Sequence, residues 1–142
     1  MTKSGTVVAQ SAVIAYRKGK KGHEVLLVTS RGRRRWVLPK GDVEPELTPA
    51  ESAAKEAFEE AGVEGEVSPQ LLGTYRYLKP DENTGASYRV QVFAMEVTVI
   101  KTTWPEKDLR RREWVSPETA AKRVHEKKLR KILLSFPEPH SD

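Results

Sequence analysis

The chain contains no cysteine, and its three histidines lie far apart along 142 residues, at His23, His125 and His140. The missing cysteines exclude a disulfide scaffold, a zinc ribbon and a cysteine nucleophile, and the scattered histidines argue against a multi-histidine metal site. No apolar run reaches the roughly 18–20 residues of a membrane helix, and the N-terminal segment lacks the pattern of a signal peptide. We therefore expect a soluble cytoplasmic protein with no membrane partner, folded as a single domain over residues 1–142.

Acidic residues are concentrated in one part of an otherwise basic chain. Residues 41–66 carry nine carboxylates and a single lysine, although the net charge of the chain is +5. Clustered carboxylates repel one another unless a cation lies among them, and a basic surround attracts polyanions. Together these features predict a divalent cation and a phosphate-rich ligand. A solvated acidic helix on a basic protein is the alternative interpretation.

Hydrophobic patterning and turn residues predict a mixture of strands and helices without repeats or linkers. The predicted strands cover residues 6–16, 24–29, 71–78, 88–100 and 112–115, with a short apolar segment at 36–38 and a loop at 41–47. The predicted helices cover residues 50–61, a segment opening at Ser116, and residues 127–135. We expect the first two strands to form one hairpin and the next two to form a longer one. The tail at 136–142, with two prolines, is expected to be frayed.

The helix at 50–61 has the clearest start and stop signals in the chain. Thr48, Pro49 and Glu51 form a capping box with proline at the first helical position, and Gly62 stands where a C-terminal cap is expected. At about 100° per residue, such a helix turns one apolar arc toward the core. That arc contains Ala50, Ala54, Ala57, Phe58 and Ala61.

A second arc of this helix carries three glutamates, Glu56, Glu59 and Glu60, at spacings that bring their side chains together. Lys55 is the only base in the helix, although surface helices usually intersperse lysines among acids. Hard carboxylate oxygens on one rigid face suit Mg²⁺ or Mn²⁺. The arc therefore indicates a metal site, with an ordinary solvated face as an equally weighted alternative.

The segment from Gly41 to Val63 resembles the Nudix box. The box consists of Gly, five residues, Glu, seven residues, Arg-Glu, an apolar residue, any residue, Glu-Glu, any residue, Gly and an apolar residue. The positions that match in register are Gly41, Glu56, Ala57, Glu59, Glu60, Gly62 and Val63. Leu47 and Lys55 depart, because the box has Glu and Arg there. Glu46 could replace the missing acid after a loop shift, and without that acid a lysine could replace the bidentate arginine.

The resemblance implies the Nudix fold, an α/β (α+β) arrangement with a mixed β-sheet sandwiched between helices. It also implies hydrolysis of a phosphoanhydride by attack of water at phosphorus. Glu56, Glu59, Glu60 and the backbone carbonyl of Lys40 would hold Mg²⁺ or Mn²⁺, and Glu59 or Glu60 would act as general base. Because the three glutamates are intact, we expect an active enzyme whose metal affinity is lowered by the two departures.

Basic residues beside the box are the candidate clamp for further phosphate groups. These substrate-binding candidates are Arg31, Arg33, Arg34, Arg35, Lys40 and Arg112. A solubilising or RNA-facing loop is the alternative interpretation of the arginine run.

Residues 24–125 resemble the diphosphoinositol polyphosphate phosphohydrolase branch of the family, which implies a diphosphoinositol polyphosphate or a dinucleoside polyphosphate as substrate. Eukaryotic members carry a basic pair in the first strand, where this chain has Val-Ala-Gln-Ser at residues 8–11. The difference weakens the case for an inositol substrate and leaves dinucleoside polyphosphates open. Tyr75, Tyr77 and Tyr88 are candidates for stacking on a base, although packing within strands is the favoured interpretation.

Three other interpretations stay open. The first is a different Nudix activity, on nucleoside triphosphates or RNA 5′ ends. The second is a Nudix-fold binding module that has lost catalysis, with Leu47 as the first sign of decay. The third is a nucleic-acid-binding protein, suggested by the pI of about 9.5. The acidic segment argues against a continuous nucleic-acid track, and the sequence does not define the oligomeric state.

Overall fold

The structure is a computed structural model that describes residues 6–78 and 85–136. Its strands are β1 (Val7–Gly19), β2 (Gly22–Thr29), β3 (Trp36–Val37), β4 (Lys40–Asp42), β5 (Val63–Val67), β6 (Gly73–Tyr77), β7 (Ser87–Ile100) and β8 (Arg112–Val115). Its helices are α1 (Pro49–Ala61), α2 (Pro117–Arg123) and α3 (Lys127–Leu134). In these described ranges, no helix is long and apolar enough to cross a membrane. The predicted frayed tail lies outside the described residues, apart from Phe136.

Eight strands of the described chain form one mixed sheet built around β1 and β7. These two strands run parallel, with Val7 beside Ser87 at one end and Tyr16 beside Glu96 at the other. The end of β1 pairs antiparallel with β2, whereas residues 10–12 pair antiparallel with β4. β5 and β6 pair with the other edge of β7, and β3 and β8 both pair with β2. Because β1 changes partner along its length, β4 is brought next to α1.

Helices cover both faces of the sheet. α1 packs on one face, where small residues such as Ala53 and Ala57 allow close contact with strand residues such as Val13. α2 and α3 cover the other face, where Leu129 belongs to the same core as Ile14. Adjacent residues of β1 point to opposite sides of the sheet, so Val13 and Ile14 belong to different cores. The predicted mixed sheet sandwiched between helices is confirmed.

The predicted start and stop of α1 are both present. The hydroxyl of Thr48 accepts a hydrogen bond from the Glu51 amide at 3.1 Å, and the Glu51 carboxylate accepts one from the Thr48 amide at 2.9 Å. Gly62 ends the helix with φ of 69°, in the left-handed region that favours glycine. The helix therefore begins one residue earlier than predicted and ends where predicted.

The predicted apolar arc of α1 is correct in part. Ala50, Ala57 and Ala61 are buried, but Phe58 is only half-buried, and Ser52 is buried although it was not expected there. The helical period correctly predicts which side of α1 faces the core. How many residues are buried on that side depends on the surrounding loops.

Two short strands fall where the sequence predicts none. β4 lies at the start of the predicted loop at 41–47, and β5 was not predicted at all. β5 contains two glutamates and a glycine, which are residue types depleted in strands. A Cβ atom at Gly65 would lie 1.9 Å from the carbonyl oxygen of Glu96, so its lack of a side chain permits close pairing with β7. The remaining predicted strands are present with shifted ends.

The capping box gives a first testable prediction. Replacing Thr48 with alanine removes the acceptor for the Glu51 amide, and we expect it to lower the free energy of unfolding by about 1 kcal/mol. Urea denaturation monitored by circular dichroism measures this change. Thr48→Ser is the control and should keep nearly all of the stability. An equal loss in both variants would contradict the role of the hydroxyl.

Candidate active site

Gly41 and Glu56 approach each other closely where β4 meets α1. A Cβ atom at Gly41 would lie 2.4 Å from Cδ of Glu56, so a larger residue would displace the carboxylate. Gly41 is not among the glycines with positive φ. The glycine of the box is therefore needed here for space rather than for an unusual backbone conformation.

Ser11 lies directly beside Gly41 in the sheet and was not singled out from the sequence. Paired residues in an antiparallel ladder point to the same face, so Ser11 faces the side of the sheet on which Glu56 lies. Its side chain is fully buried, and its Oγ has no hydrogen-bond partner within the described part of the chain. Buried hydroxyl groups normally have a partner.

Glu60 is the most buried of the three glutamates, with 6% of its surface exposed. One carboxylate oxygen accepts a hydrogen bond from the Lys40 amide at 3.2 Å, and the other lies 3.4 Å from a guanidinium nitrogen of Arg110. The same Arg110 also donates to a Glu106 carboxylate oxygen at 2.7 Å and to the Thr29 carbonyl at 3.1 Å. Arg110 thus links the last turn of α1 to the end of β2.

Burial and mutual repulsion raise the pKa values of two of the three glutamates. Burial raises the pKa of Glu60 to about 8, against the opposing attraction of Arg110. Burial also raises the pKa of Glu56, with a further increase from the nearby charge of Glu59. These carboxyl groups therefore resist ionisation, which is the behaviour expected when several acids share one site without a cation.

The segment from Lys101 to Arg112 covers the last turn of α1 and satisfies its carbonyl groups. The amide of Glu106 donates to the Glu59 carbonyl at 3.0 Å, and the indole of Trp104 donates to the Glu60 carbonyl at 3.1 Å. The guanidinium of Arg112 donates to the carbonyls of Ala61 at 2.7 Å and Lys101 at 2.8 Å. Helix ends leave such groups unpaired, so this docking fixes the position of the glutamates.

Lys55 has an acidic partner that the resemblance to the Nudix box did not predict. Its ammonium lies 2.7 Å from a Glu44 carboxylate oxygen and 3.6 Å from one of Glu59. Glu44, rather than Glu46, therefore supplies the acid that faces Lys55. These contacts raise the pKa of Lys55, with Glu44 as the largest cause.

The donor set at this junction suits a hard divalent cation. Carboxylate oxygens from adjacent helical turns lie against a strand where glycine leaves room for them. In the described residues, however, no three acidic or histidine side chains converge as a ready-made cage. Glu59 contacts Lys55, and Glu60 contacts Arg110, so binding would require these side chains to exchange partners. Glu56, Glu59 and Glu60 remain predicted ligands, as does the Lys40 carbonyl.

The arginine run lies in the loop between β2 and β3. Arg31, Arg33 and Arg34 are exposed, whereas Arg35 is half-buried. The Ser30 amide donates to the Arg35 carbonyl at 2.7 Å, and this bond closes the base of the loop. The loop begins just after Thr29, the residue that shares Arg110 with Glu60.

Lys40 and Arg112, the other two candidate substrate-binding residues, make contacts of different kinds. The ammonium of Lys40 lies 4.7 Å from the centre of the Tyr77 ring, while its amide is bound to Glu60. Arg112 stacks on Trp104 at 3.9 Å and uses both terminal nitrogens on backbone carbonyls. These contacts hold the end of α1, and Arg112 stays a predicted substrate-binding residue.

The three tyrosines considered for base stacking have different environments. Tyr75 is buried in the core on the α2 and α3 side. The rings of Tyr77 and Tyr88 stack on each other with centres 4.9 Å apart. The Tyr77 hydroxyl donates to Gln10 at 2.7 Å, and the Gln10 amide donates to Asp42 at 2.9 Å. Tyr75 is therefore a core residue, as the packing interpretation predicts.

Besides Ser11, the sequence analysis missed three residues of the site: Trp104, Glu106 and Glu44 as the partner of Lys55. Residues 101–111 have no periodic pattern and were not assigned to an element. The tryptophan beside a proline was the only available signal, and it does not indicate which helix end the segment would cover. Arg110 was not among the candidate residues either, because two of its three partners, Thr29 and Glu60, come from distant parts of the chain.

Comparison with known proteins identifies the family. The family model described as the NUDIX domain matches residues 8–136. The chain therefore belongs to the Nudix family, whose members are hydrolases that act on phosphoanhydrides.

Curated relatives within the family are phosphohydrolases. The chain is 33% identical over 133 residues to diphosphoinositol polyphosphate phosphohydrolase 3-beta of Bos taurus, covering 88% of this chain and 77% of the relative. It is 35% identical over 115 residues to diphosphoinositol polyphosphate phosphohydrolase 2 of Rattus norvegicus, covering 80% of this chain and 60% of that relative. The chain thus spans only part of the length of these proteins.

Solved structures confirm the fold. An Ap4A hydrolase of C. elegans, crystallised as a binary complex, superposes with a TM-score of 0.68 at 22% identity, over 91% of this chain and 94% of that one. The MutT protein of Methanosarcina mazei Go1 superposes with a TM-score of 0.69 at 22% identity, over 95% and 96% of the two chains.

The burial of Glu60 gives a prediction about stability. The pKa of Glu60 is about 8 in the folded state and near 4.5 in the unfolded state. Between pH 4.5 and pH 8 the folded protein therefore keeps a proton on Glu60 that the unfolded chain has lost. Glu60 therefore makes the metal-free protein less stable as pH rises through this window. We expect Glu60→Gln to raise the free energy of unfolding at pH 9 by on the order of 1–3 kcal/mol, and to change it little at pH 5.

Urea denaturation in the presence of a chelator measures this difference at both pH values. Glu64→Gln, at an exposed position of β5, is the control and should show no such dependence on pH. A Glu60→Gln variant that is less stable than the wild type at pH 9 would contradict the prediction.

Proposed function

We propose that this protein is an Mg²⁺-dependent pyrophosphohydrolase that cleaves a phosphoanhydride in a polyphosphorylated small molecule by water attack at phosphorus. Diphosphoinositol polyphosphates and dinucleoside polyphosphates are the two proposed substrate classes. A cytoplasmic location is proposed with it. The observation that carries the proposal is the link made by Arg110, which joins the buried carboxylate of Glu60 to the base of the arginine loop at Thr29.

The carboxylates support the metal-dependent part of the proposal. Glu56, Glu59 and Glu60 are the proposed ligands, together with the carbonyl of Lys40, and Glu59 or Glu60 is the proposed general base. When bound, Mg²⁺ or Mn²⁺ would neutralise phosphate oxygens and lower the pKa of a bound water. The raised pKa values of Glu56 and Glu60 fit this role, because a dication would favour the ionised carboxylates against the burial and the mutual repulsion that oppose their ionisation.

The loop of four arginines supports a substrate with more than one phosphate group. Guanidinium groups bind phosphate in a bidentate manner, and several of them on one short loop can hold successive groups of a chain. Both ends of the segment from Thr29 to Lys40 contact the cluster, through Arg110 at one end and the Lys40 amide at the other. Phosphates held by the loop would therefore lie close to the carboxylates.

The choice between the two substrate classes depends on the groups around Lys40. Curated relatives are named diphosphoinositol polyphosphate phosphohydrolases, which favours the first class. The neighbouring side chains, however, are neutral or acidic: Gln10 is hydrogen-bonded to Asp42 and to the hydroxyl of Tyr77. Lys40 is then the one cation of this group that a ring bearing many phosphates would meet, and this favours dinucleoside polyphosphates.

Metal dependence is tested by hydrolysis of diadenosine hexaphosphate and of diphosphoinositol pentakisphosphate, with Mg²⁺ or with a chelator. We expect hydrolysis of at least one substrate only with Mg²⁺. Glu59→Gln should lower kcat by about 100-fold or more while the protein stays folded, because a ligand or base is lost. Glu64→Gln is the exposed control and should keep full activity. Activity in chelator, or an active Glu59→Gln variant, would contradict the proposal, and binding without any hydrolysis would favour a binding module.

The arginine loop gives a separate prediction. Replacing Arg31, Arg33 and Arg34 together with glutamine should raise KM about tenfold and change kcat little, because charged contacts to the bound phosphates are lost. Steady-state kinetics at low ionic strength measures both constants.

A matched control removes the same charge from the turn between β1 and β2. The triple variant Lys18→Gln, Lys20→Gln and Lys21→Gln changes the net charge equally at this turn and the adjoining end of β1, outside the proposed site. A similar rise in KM in both triple variants would show that the effect comes from the overall charge and not from the arginine loop.

A further inference from the structure

The loop before α1 is folded so that Glu44 lies beside the helix. The amide of Leu47 donates to the carbonyl of Glu44 at 3.1 Å, which closes a turn with these two residues at its ends. The Glu44 amide in turn donates to the hydroxyl of Ser52, a buried residue of α1, at 3.0 Å. The turn and the bond to Ser52 therefore fix the backbone at Glu44 relative to the helix.

From this position Glu44 reaches Lys55, and Lys55 reaches Glu59. The three charged groups form a line, with the ammonium 2.7 Å from Glu44 and 3.6 Å from Glu59. Lys55 and Glu59 are four residues apart on one helix face, where side chains meet. A lysine carries a flexible point charge, so a second acid on its far side restricts where the ammonium lies.

We propose that Glu44, acting through Lys55, is a positioning residue for Glu59, and that it replaces the acid that the Nudix box has at position 47. The turn explains how this is possible, because residues at the two ends of a β-turn lie within about 7 Å of each other. The carboxylate of an acid at position 44 can thus lie where the carboxylate of an acid at position 47 would lie. The inference rests on the proposed metal-binding role of Glu59.

Positioning and simple electrostatics predict opposite results for Lys55. If Lys55 acted only through its charge, removing it would leave the site more negative and would tighten the binding of a dication. If Lys55 holds Glu59 in place, removing it releases that carboxylate and weakens binding. The direction of the change in affinity therefore separates the two explanations.

The test measures Mn²⁺ affinity of the full chain without substrate, by the electron paramagnetic resonance signal of free Mn²⁺. We expect Glu44→Gln to weaken binding about tenfold, at the lower end of what outer-sphere partners of metal ligands contribute. Lys55→Met should also weaken binding, and Lys55→Arg should stay close to the wild type. Melting temperatures should change little, because exposed ion pairs contribute little to stability.

Glu46→Gln is the matched control, because it removes the same charge from the exposed tip of the same turn. Its effect on Mn²⁺ affinity should be less than about threefold, because the loss is a screened long-range interaction. Equal effects of Glu44→Gln and Glu46→Gln, or tighter binding by Lys55→Met, would overturn this inference alone. A wild-type protein that does not bind Mn²⁺ would overturn the proposed function as well.

Discussion

The docking of residues 101–112 against the last turn of α1 is the contact on which the candidate site depends. α1 has no basic residue in its last turn, so the carbonyls at this end lack a cation of their own. The distant segment supplies an indole, a guanidinium and backbone amides instead. Trp104 fits this position because Gly62 has no side chain: a Cβ atom there would lie 2.5 Å from the indole ring. The same docking places Arg110 and Glu106 beside the glutamates.

This arrangement brings together groups that lower the stability of the metal-free protein. Glu60 is buried with a raised pKa, Glu56 is close to other acids, and Ser11 is buried beside them without a hydrogen-bond partner in the described chain. Elsewhere in the described residues, buried polar side chains are satisfied. Local departures from good packing are expected where a protein carries its function. Their concentration at the junction of β4 and α1 supports this junction as the working part of the molecule.

The sequence predicted those features that depend on neighbouring residues. The capping box and the glycine stop follow from spacings within one helix, and the structure has both of them. β5 could not be predicted in this way, because its glycine and glutamates are poor strand formers that are held only by pairing with β7. Nor could the burial of Glu60, which depends on a segment about fifty residues away. The acid that faces Lys55 was predicted at 46 and lies at 44, since a single turn decides which side chain points to the helix.

The segment from Thr29 to Lys40 connects the basic and acidic parts of the site. Its two ends are held by hydrogen bonds that involve Arg110 and Glu60, so the loop cannot move far from the carboxylates without breaking a buried contact. Arg31, Arg33 and Arg34 are exposed at its tip. Under the proposed function this combination is useful, because a fixed base gives proximity to the reacting phosphate and exposed guanidinium groups are accessible to phosphate chains of different length. The substrate range of the enzyme would then be limited less by the loop than by the side chains around Gln10 and Tyr77, which include Lys40 and Asp42.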